Sequence, residues 1–361
     1  MKTLYLYISL LVTGVLLFSC GMQKNEPVSG AEALKLSADI EAAIKNRSEQ
    51  NIDQMINPEI VADRASKGMQ SAFREGVQEG IGKALAKNNL ARQIVRSVGK
   101  NGSYKMLRQY EKDGIQHLIF RLYSDEGLNY HDFELTKRNG KIWIADIYIY
   151  ASGENFSKSM ADIISNYIGT DKDFDDAKIK QLEKLRDIRT LLNRGDYEKA
   201  NSIYQSIPTQ LRNTRLLDIA YLEIANGLSD TAYKNAVVQF EKIYKNDSGM
   251  YLLLIDPYIL NKDYKRAMEC VEGLDKLLNK DPLLDLFRAN IFTMMNRPAE
   301  AGAALERLTV NMPAFQDGHI ALINYYLEND LKEKSKKAIE QYRGNKAFDQ
   351  EKLEENSGVY Y

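Results

Sequence analysis

The spacing of apolar residues changes character several times along the chain, and each change marks a segment. Leu4 to Phe18 is apolar and uncharged, with Lys2 before it and Ser19-Cys20-Gly21 after it. That run is shorter than the ~20 apolar residues of a membrane-spanning helix. It has the layout of a secretory signal: a basic start, an apolar middle and small residues at the end. Met22 to Val28 is mostly polar and holds Pro27, which reads as a tether. Ser29-Gly30-Ala31-Glu32 then has the spacing of a capping box. It predicts a helix through Asn46 with Leu36, Ile40 and Ile44 on one face. Met69, Phe73, Val77, Ile81 and Leu85 recur every fourth residue, which predicts a second amphipathic helix. Its Gly68, Gly76, Gly80 and Gly82 are expected to let a neighbouring element come close, since a glycine inside a helix costs about 1 kcal/mol.

Beyond residue 102 the period falls to two. Strands are predicted at 103–111, 115–124, 128–137 and 141–150, joined by Asp113-Gly114, Asp125-Glu126-Gly127 and Asn139-Gly140. Asn-Gly favours a two-residue hairpin because both positions accept positive φ. The helical period returns at Phe156, Met160, Ile163, Ile164 and Tyr167, and after 176 helices come in pairs. The domains are therefore 1–19 signal, 20–28 tether, 29–150 small α+β domain, 151–176 connecting helix, 177–345 helical repeats and 346–361 polar tail. The fold class is mainly α with an α+β N-terminal domain.

The paired helices alternate with polar turns at 193–197, 227–230, 261–264, 296–298 and 328–330. A small residue follows each turn: Ala200, Ala236, Ala267, Ala301 and Ser335, separated by 36, 31, 34 and 34 positions. Gly195-Asp196-Tyr197-Glu198-Lys199-Ala200 and Lys262-Asp263-Tyr264-Lys265-Arg266-Ala267 resemble the turn of the tetratricopeptide repeat. The resemblance implies a solenoid of helical hairpins with an inner groove lined by first helices. Its packing positions are Tyr251, Leu254, Tyr258, Val271 and Leu274 in the third unit, and His319, Leu322, Tyr326, Ile339 and Tyr342 in the fifth. In the fourth unit the same register brings Asp285 and Arg288 to packing positions, which suggests a one-residue shift. Carried over from the family, the groove positions are Leu252, Leu286 and Ile320; Asp256, Asn290 and Asn324; and Ile259, Thr293 and Leu327. They predict an apolar ladder beside an amide and carboxylate ladder. Family members that grip a terminal carboxylate use cations in the groove; none stands at these positions, so no such capture is expected.

Leu17-Phe18-Ser19-Cys20 resembles the lipobox of bacterial lipoproteins, although Phe18 stands where a smaller residue is usual. The resemblance implies cleavage before Cys20 and its acylation, with chains such as palmitate each contributing about 0.8 kcal/mol per buried CH₂. Gly21 rather than Asp after the cysteine resembles the sorting pattern of enterobacterial lipoproteins bound for the outer membrane, which implies that location. No other cofactor is expected. The helices and meander of 29–150 resemble the cystatin-like roll of nuclear transport factor and ketosteroid isomerase.

Composition adds little. Forty-nine basic residues against 50 acidic ones give no drive toward nucleic acid. With Cys20 acylated, Cys270 has no intrachain partner and reads as a small buried residue. Three histidines leave little material for a metal site. Pairing across Asn139-Gly140 sets Phe133 opposite Asp146 and His131 opposite Tyr148, so His131 and Asp146 lie diagonally on one face. They read as a general base with its orienter, or as a satisfied polar pair. His117 stands alone on its strand and His319 is read as packing. Gly76-x-x-x-Gly80-x-Gly82 lacks dinucleotide spacing, and no phosphate loop or hydrolase motif is present. The expectation is a non-enzymatic, lipid-anchored envelope scaffold that binds a protein or peptide. The alternatives are a small-molecule binder or enzyme in the roll using His131 and Asp146, and a soluble periplasmic chaperone.

Overall fold

The computed structural model describes residues 25–69, 71–87, 90–99, 102–125, 127–168 and 176–357, with the backbone alone at 71–73, 84–87, 90, 167–168, 176–179 and 356–357. The signal segment, Cys20 and residues 358–361 lie outside the described residues. No described helix is long and apolar enough to cross a membrane.

Helix α1 (Gly30–Lys45) opens on the capping box: the Glu32 N–H donates to the Ser29 hydroxyl, and the Ser29 N–H donates to the Glu32 carboxylate at 2.9 Å. Leu36, Ile40 and Ile44 are buried on its inner face. Next come α2 (Glu49–Asp53), α3 (Pro58–Ala65), α4 (Ser71–Lys87) and α5 (Leu90–Val98). Helix α4 buries Val77 and Ile81 in a small cluster with Ala62 and Ala65 of α3. The expected close approach at its glycines is not found: a Cβ on Gly76, Gly80 or Gly82 would meet nothing within 4 Å. They weaken the helix without helping it pack.

The sheet is a five-stranded antiparallel meander of β1 (Ser103–Lys112), β2 (Ile115–Ser124), β3 (Gly127–Arg138), β4 (Lys141–Ile149) and β5 (Glu154–Asn155). Asp113-Gly114 and Asn139-Gly140 both adopt positive φ, as the two-residue hairpins require. One sheet face carries Leu118, Phe120, Leu122, Phe133, Leu135, Ile144 and Ile147 into a core with Leu36, Ile40, Ile52, Ile94 and Val95. The other face carries Ile119, Tyr130 and Tyr150 into a core with Met250, Leu254, Ile255 and Leu284 of the C-terminal helices. The sheet thus serves two cores.

Helix α6 (Phe156–Ile163) runs into a π turn, Ile164–Ile168. Helices α7 (Asp176–Leu192) and α8 (Tyr197–Ser206) form the first described hairpin, followed by the short α9 (Thr209–Arg212). The next hairpins are α10 (Arg215–Leu228) with α11 (Asp230–Tyr244), α12 (Tyr251–Leu260) with α13 (Tyr264–Leu278), α14 (Leu284–Met294) with α15 (Pro298–Asn311), and α16 (Gln316–Glu328) with α17 (Lys332–Arg343). Helix α18 (Gln350–Ser357) closes the stack. Ala200, Ala236, Ala267, Ala301 and Ser335 are all buried where the two helices of a pair meet. Leu254, Tyr258, Val271 and Leu274 are buried as expected, and so are His319, Leu322, Tyr326, Ile339 and Tyr342.

The fourth hairpin keeps its register. Asp285 is buried, and Arg288 donates to it at 3.1 Å, to Asp275 at 2.8 Å and to Glu272 at 2.8 Å. Arg307 reaches Asp285 at 2.8 Å from the opposite helix. An ionic seam replaces the apolar one, so no shift is needed.

Three hairpin junctions hold the sheet. Asp281, between α13 and α14, is fully buried; it pairs with Arg121 and accepts the Tyr130 hydroxyl at 2.7 Å. Asp317, in the first turn of α16, accepts the Tyr123 hydroxyl at 2.8 Å. Arg215, at the start of α10, donates to the Gly153 carbonyl at 2.8 Å and to Asp247 at 2.6 Å.

Asp281→Ala would leave Arg121 buried without its counter-charge, and is expected to cost about 3–5 kcal/mol in urea unfolding. A loss below 1 kcal/mol would contradict this placement. Gly80→Ala, by contrast, is expected to stabilise the protein by about 0.5–1 kcal/mol, because the added methyl meets open space and the unfolded chain loses freedom. A destabilised variant would restore the expectation of a close neighbour.

Candidate functional site

The first helices α12, α14 and α16 carry the nine positions read as groove. Leu252 and Ile259 are half-buried against the core shared with the sheet, Leu286 is half-buried against the core of the last hairpins, and Ile320 is buried. The expected apolar ladder of Leu252, Leu286 and Ile320 is therefore turned inward, packed between successive hairpins. Asp256, Asn290, Thr293 and Leu327 are exposed, and Asn324 is half-buried.

Three of these residues come together. Asn290 and Thr293 of α14 and Asn324 of α16 line one open cavity of about 510 Å³, with Ala321 in its wall and Met294, Tyr325 and Glu328 around it. The Thr293 hydroxyl donates to the Ala289 carbonyl at 3.0 Å, which leaves its oxygen free to accept. Asn290 and Asn324 are 34 positions apart in the chain, so one amide from each of two hairpins faces the same space. No cation lines this cavity. Asp256 lies apart from it, on α12. Crowding by the surrounding protein raises its carboxyl above the usual carboxylate range although the side chain reaches solvent.

The sheet does not assemble the His131–Asp146 pair. A bulge in β4 places Glu134 opposite Asp146 and Leu135 opposite Ile144, so Phe133 faces Ile147 and His131 faces Ile149. The signal was readable: the apolar alternation slips phase between Ile142/Ile144 and Ile147/Ile149. Asp146 accepts from the Ser157 hydroxyl at 2.5 Å and the Ser157 N–H at 3.1 Å, anchoring the start of α6, with Arg64 at 3.4 Å. His131 belongs to a separate network. The Asn129 carbonyl oxygen accepts the N–H groups of Tyr130 at 2.8 Å and Ala151 at 2.9 Å. The Asn129 amide nitrogen therefore donates to His131 Nε2 at 3.2 Å, and the proton sits on Nδ1, which donates to the Tyr104 oxygen at 2.9 Å.

His117 is not alone. Its Nδ1 lies 3.1 Å from Asp132, which also accepts the Tyr110 hydroxyl, and the Tyr110 ring stacks on the imidazole. The pair runs diagonally from β2 to β3, a relation fixed by the tight turn that sets Ser124 opposite Gly127. His319 packs on Tyr342 and meets the Pro313 carbonyl at 2.9 Å. Cys270 is buried, and burial pushes its thiol up to about 12, so it stays protonated at neutral pH. Among the described residues no group of three His, Cys, Asp or Glu is placed to hold a metal ion. No family model, no curated protein and no solved structure matches this chain.

Burial lowers the His131 pKa from 6.5 to about 4. The folded state thus resists a proton that the unfolded chain accepts. The stability this confers is complete above pH 6.5 and is lost as the pH falls toward 4. Relative to His131→Gln, the native protein is expected to lose on the order of 3 kcal/mol over that window. Urea titrations at pH 7 and pH 4 check this, and equal losses in the two proteins would contradict it.

Proposed function

We propose that the protein is a lipid-anchored adaptor of the bacterial envelope, held at the outer membrane through Cys20, that binds a protein or peptide on the first-helix face of its hairpin stack. The observation that carries the reading is the meeting of Asn290, Thr293 and Asn324 in one open, cation-free cavity. Amides and hydroxyls bond an extended backbone without demanding a particular side chain. The sheet bonds the hairpins at Asp281 and Asp317, and no sheet residue is among the described residues that line this cavity. The turn motifs at 195–200 and 262–267, which resemble the tetratricopeptide repeat, support the same reading, as do the buried Ala200 and Ala267 that follow them.

Catalysis in the roll gains no support, because His131 and Asp146 serve separate structural networks. A soluble chaperone differs from the adaptor by one property, the acyl mass on the mature amino terminus.

Affinity capture from native envelopes tests the reading. The full-length protein is expected to retain a partner that the Asn290→Ala/Asn324→Ala variant loses by tenfold or more, at unchanged helical content. Equal capture by both would refute the assigned face. Intact-mass measurement of the same preparation is expected to show an acylated Cys20; an unmodified terminus would refute the anchor.

A further inference from the structure

A second cavity, of about 350 Å³, opens where the roll meets the hairpin stack. Its floor is apolar: Ile94 of α5, Leu122 of β2, and Ile147 and Ile149 of β4. Its polar groups come from three sides. Gln93 and Ser97, four residues apart on α5, line it, and among the described residues neither side chain has another hydrogen-bond partner. Asn129 lines it, with its carbonyl oxygen saturated by two backbone N–H groups and one amide hydrogen given to His131. Arg189 of α7 also lines it, largely exposed, with Glu223 at 3.4 Å as its partner.

The inventory is lopsided. His131 Nε2 and the Asn129 oxygen, the natural acceptors, are both occupied. The open positions are an amide N–H on Asn129, the Ser97 hydroxyl, the Gln93 amide and a guanidinium. No carboxylate is among the described lining residues. His131 is held neutral at pH 7 by burial, so Arg189 is the one charged side chain among the described lining residues; Glu223 takes one Nη1 hydrogen bond and leaves the other guanidinium N–H groups for a ligand. A group with one negative charge, several acceptor lone pairs and an apolar body matches each surface it would meet.

We infer that this junction cavity binds a small aliphatic monocarboxylate, with its carboxylate toward Arg189, Ser97 and Gln93 and its chain over Ile94, Leu122, Ile147 and Ile149. At about 30 Å³ per small group, the space takes roughly a dozen non-hydrogen atoms, which sets the size of the ligand class. The site joins a helix of the roll to a helix of the hairpin stack, so an occupant would touch both parts of the molecule. It is independent of the partner face on α14 and α16.

Calorimetric titration of the full-length protein in detergent, with hexanoate, hexanamide and hexanol, tests the proposal. Hexanoate is expected to bind at least tenfold more tightly than the amide or the alcohol. Arg189→Gln, at an exposed position that leaves the fold intact, is expected to erase that preference. Ser97→Phe, which fills the cavity, is expected to abolish binding of all three. Absence of hexanoate binding, equal affinity for acid and amide, or a preference that survives Arg189→Gln would each overturn the site. Heat that persists unchanged in Ser97→Phe would also overturn it, by assigning the signal to partition into the micelle.

Discussion

The buried pair of Arg121 and Asp281 is the constraint on which the rest of the molecule depends. Two opposite charges have been taken out of water at the centre of the junction between sheet and hairpins, and Asp281 also accepts the Tyr130 hydroxyl and the Leu283 N–H. A buried ion pair holds its geometry because either charge alone is costly in that environment. The pairing fixes the position of β2 and β3 against the loop after α13. Tyr123 on Asp317 and Arg215 on Gly153 then fix the flanking junctions. The hairpins are thereby held from one edge. Asn290 of α14 stays exposed beside the half-buried Asn324 of α16.

Much of this was readable in the chain. The period-four residues of α1, the period-two strands and the small residues Ala200, Ala236, Ala267, Ala301 and Ser335 each follow from a geometric need that the sequence has to meet locally. The strands of 103–150 also carried a hint of two-sided burial: β2 alternates Leu118, Phe120 and Leu122 with Ile119, Arg121 and Tyr123, so neither face is plainly polar. Their common partner, the edge of a helical stack more than a hundred residues away, is a tertiary fact that no local pattern announces. The ionic seam of the fourth hairpin was visible as an anomaly at Asp285 and Arg288. Its resolution needed Glu272, Asp275 and Arg307, which come from the helices on either side.

The candidate sites show the same division. Which residues of α12, α14 and α16 reach solvent depends on how far successive hairpins overlap. The same spacing that identified nine positions therefore sent Ile320 inward and Asn290 outward. In the sheet, one extra residue at the β4 bulge separated His131 from Asp146 and gave each a structural task. A one-residue error in register changes the partner of every side chain beyond it, which is why a catalytic pair inferred from strand alignment alone failed. His117 and Asp132 meet for the complementary reason, since no bulge intervenes between β2 and β3.

The central claim is that sheet and hairpins form one cooperative body, joined through Arg121 and Asp281. Trp143, the sole tryptophan, lies on β4, so its fluorescence follows the sheet, while ellipticity at 222 nm is dominated by the helices. Unfolding one sample in urea with both probes is the most direct measurement. The account predicts coincident curves with a single midpoint. A tryptophan transition clearly separated from the helical one would contradict it.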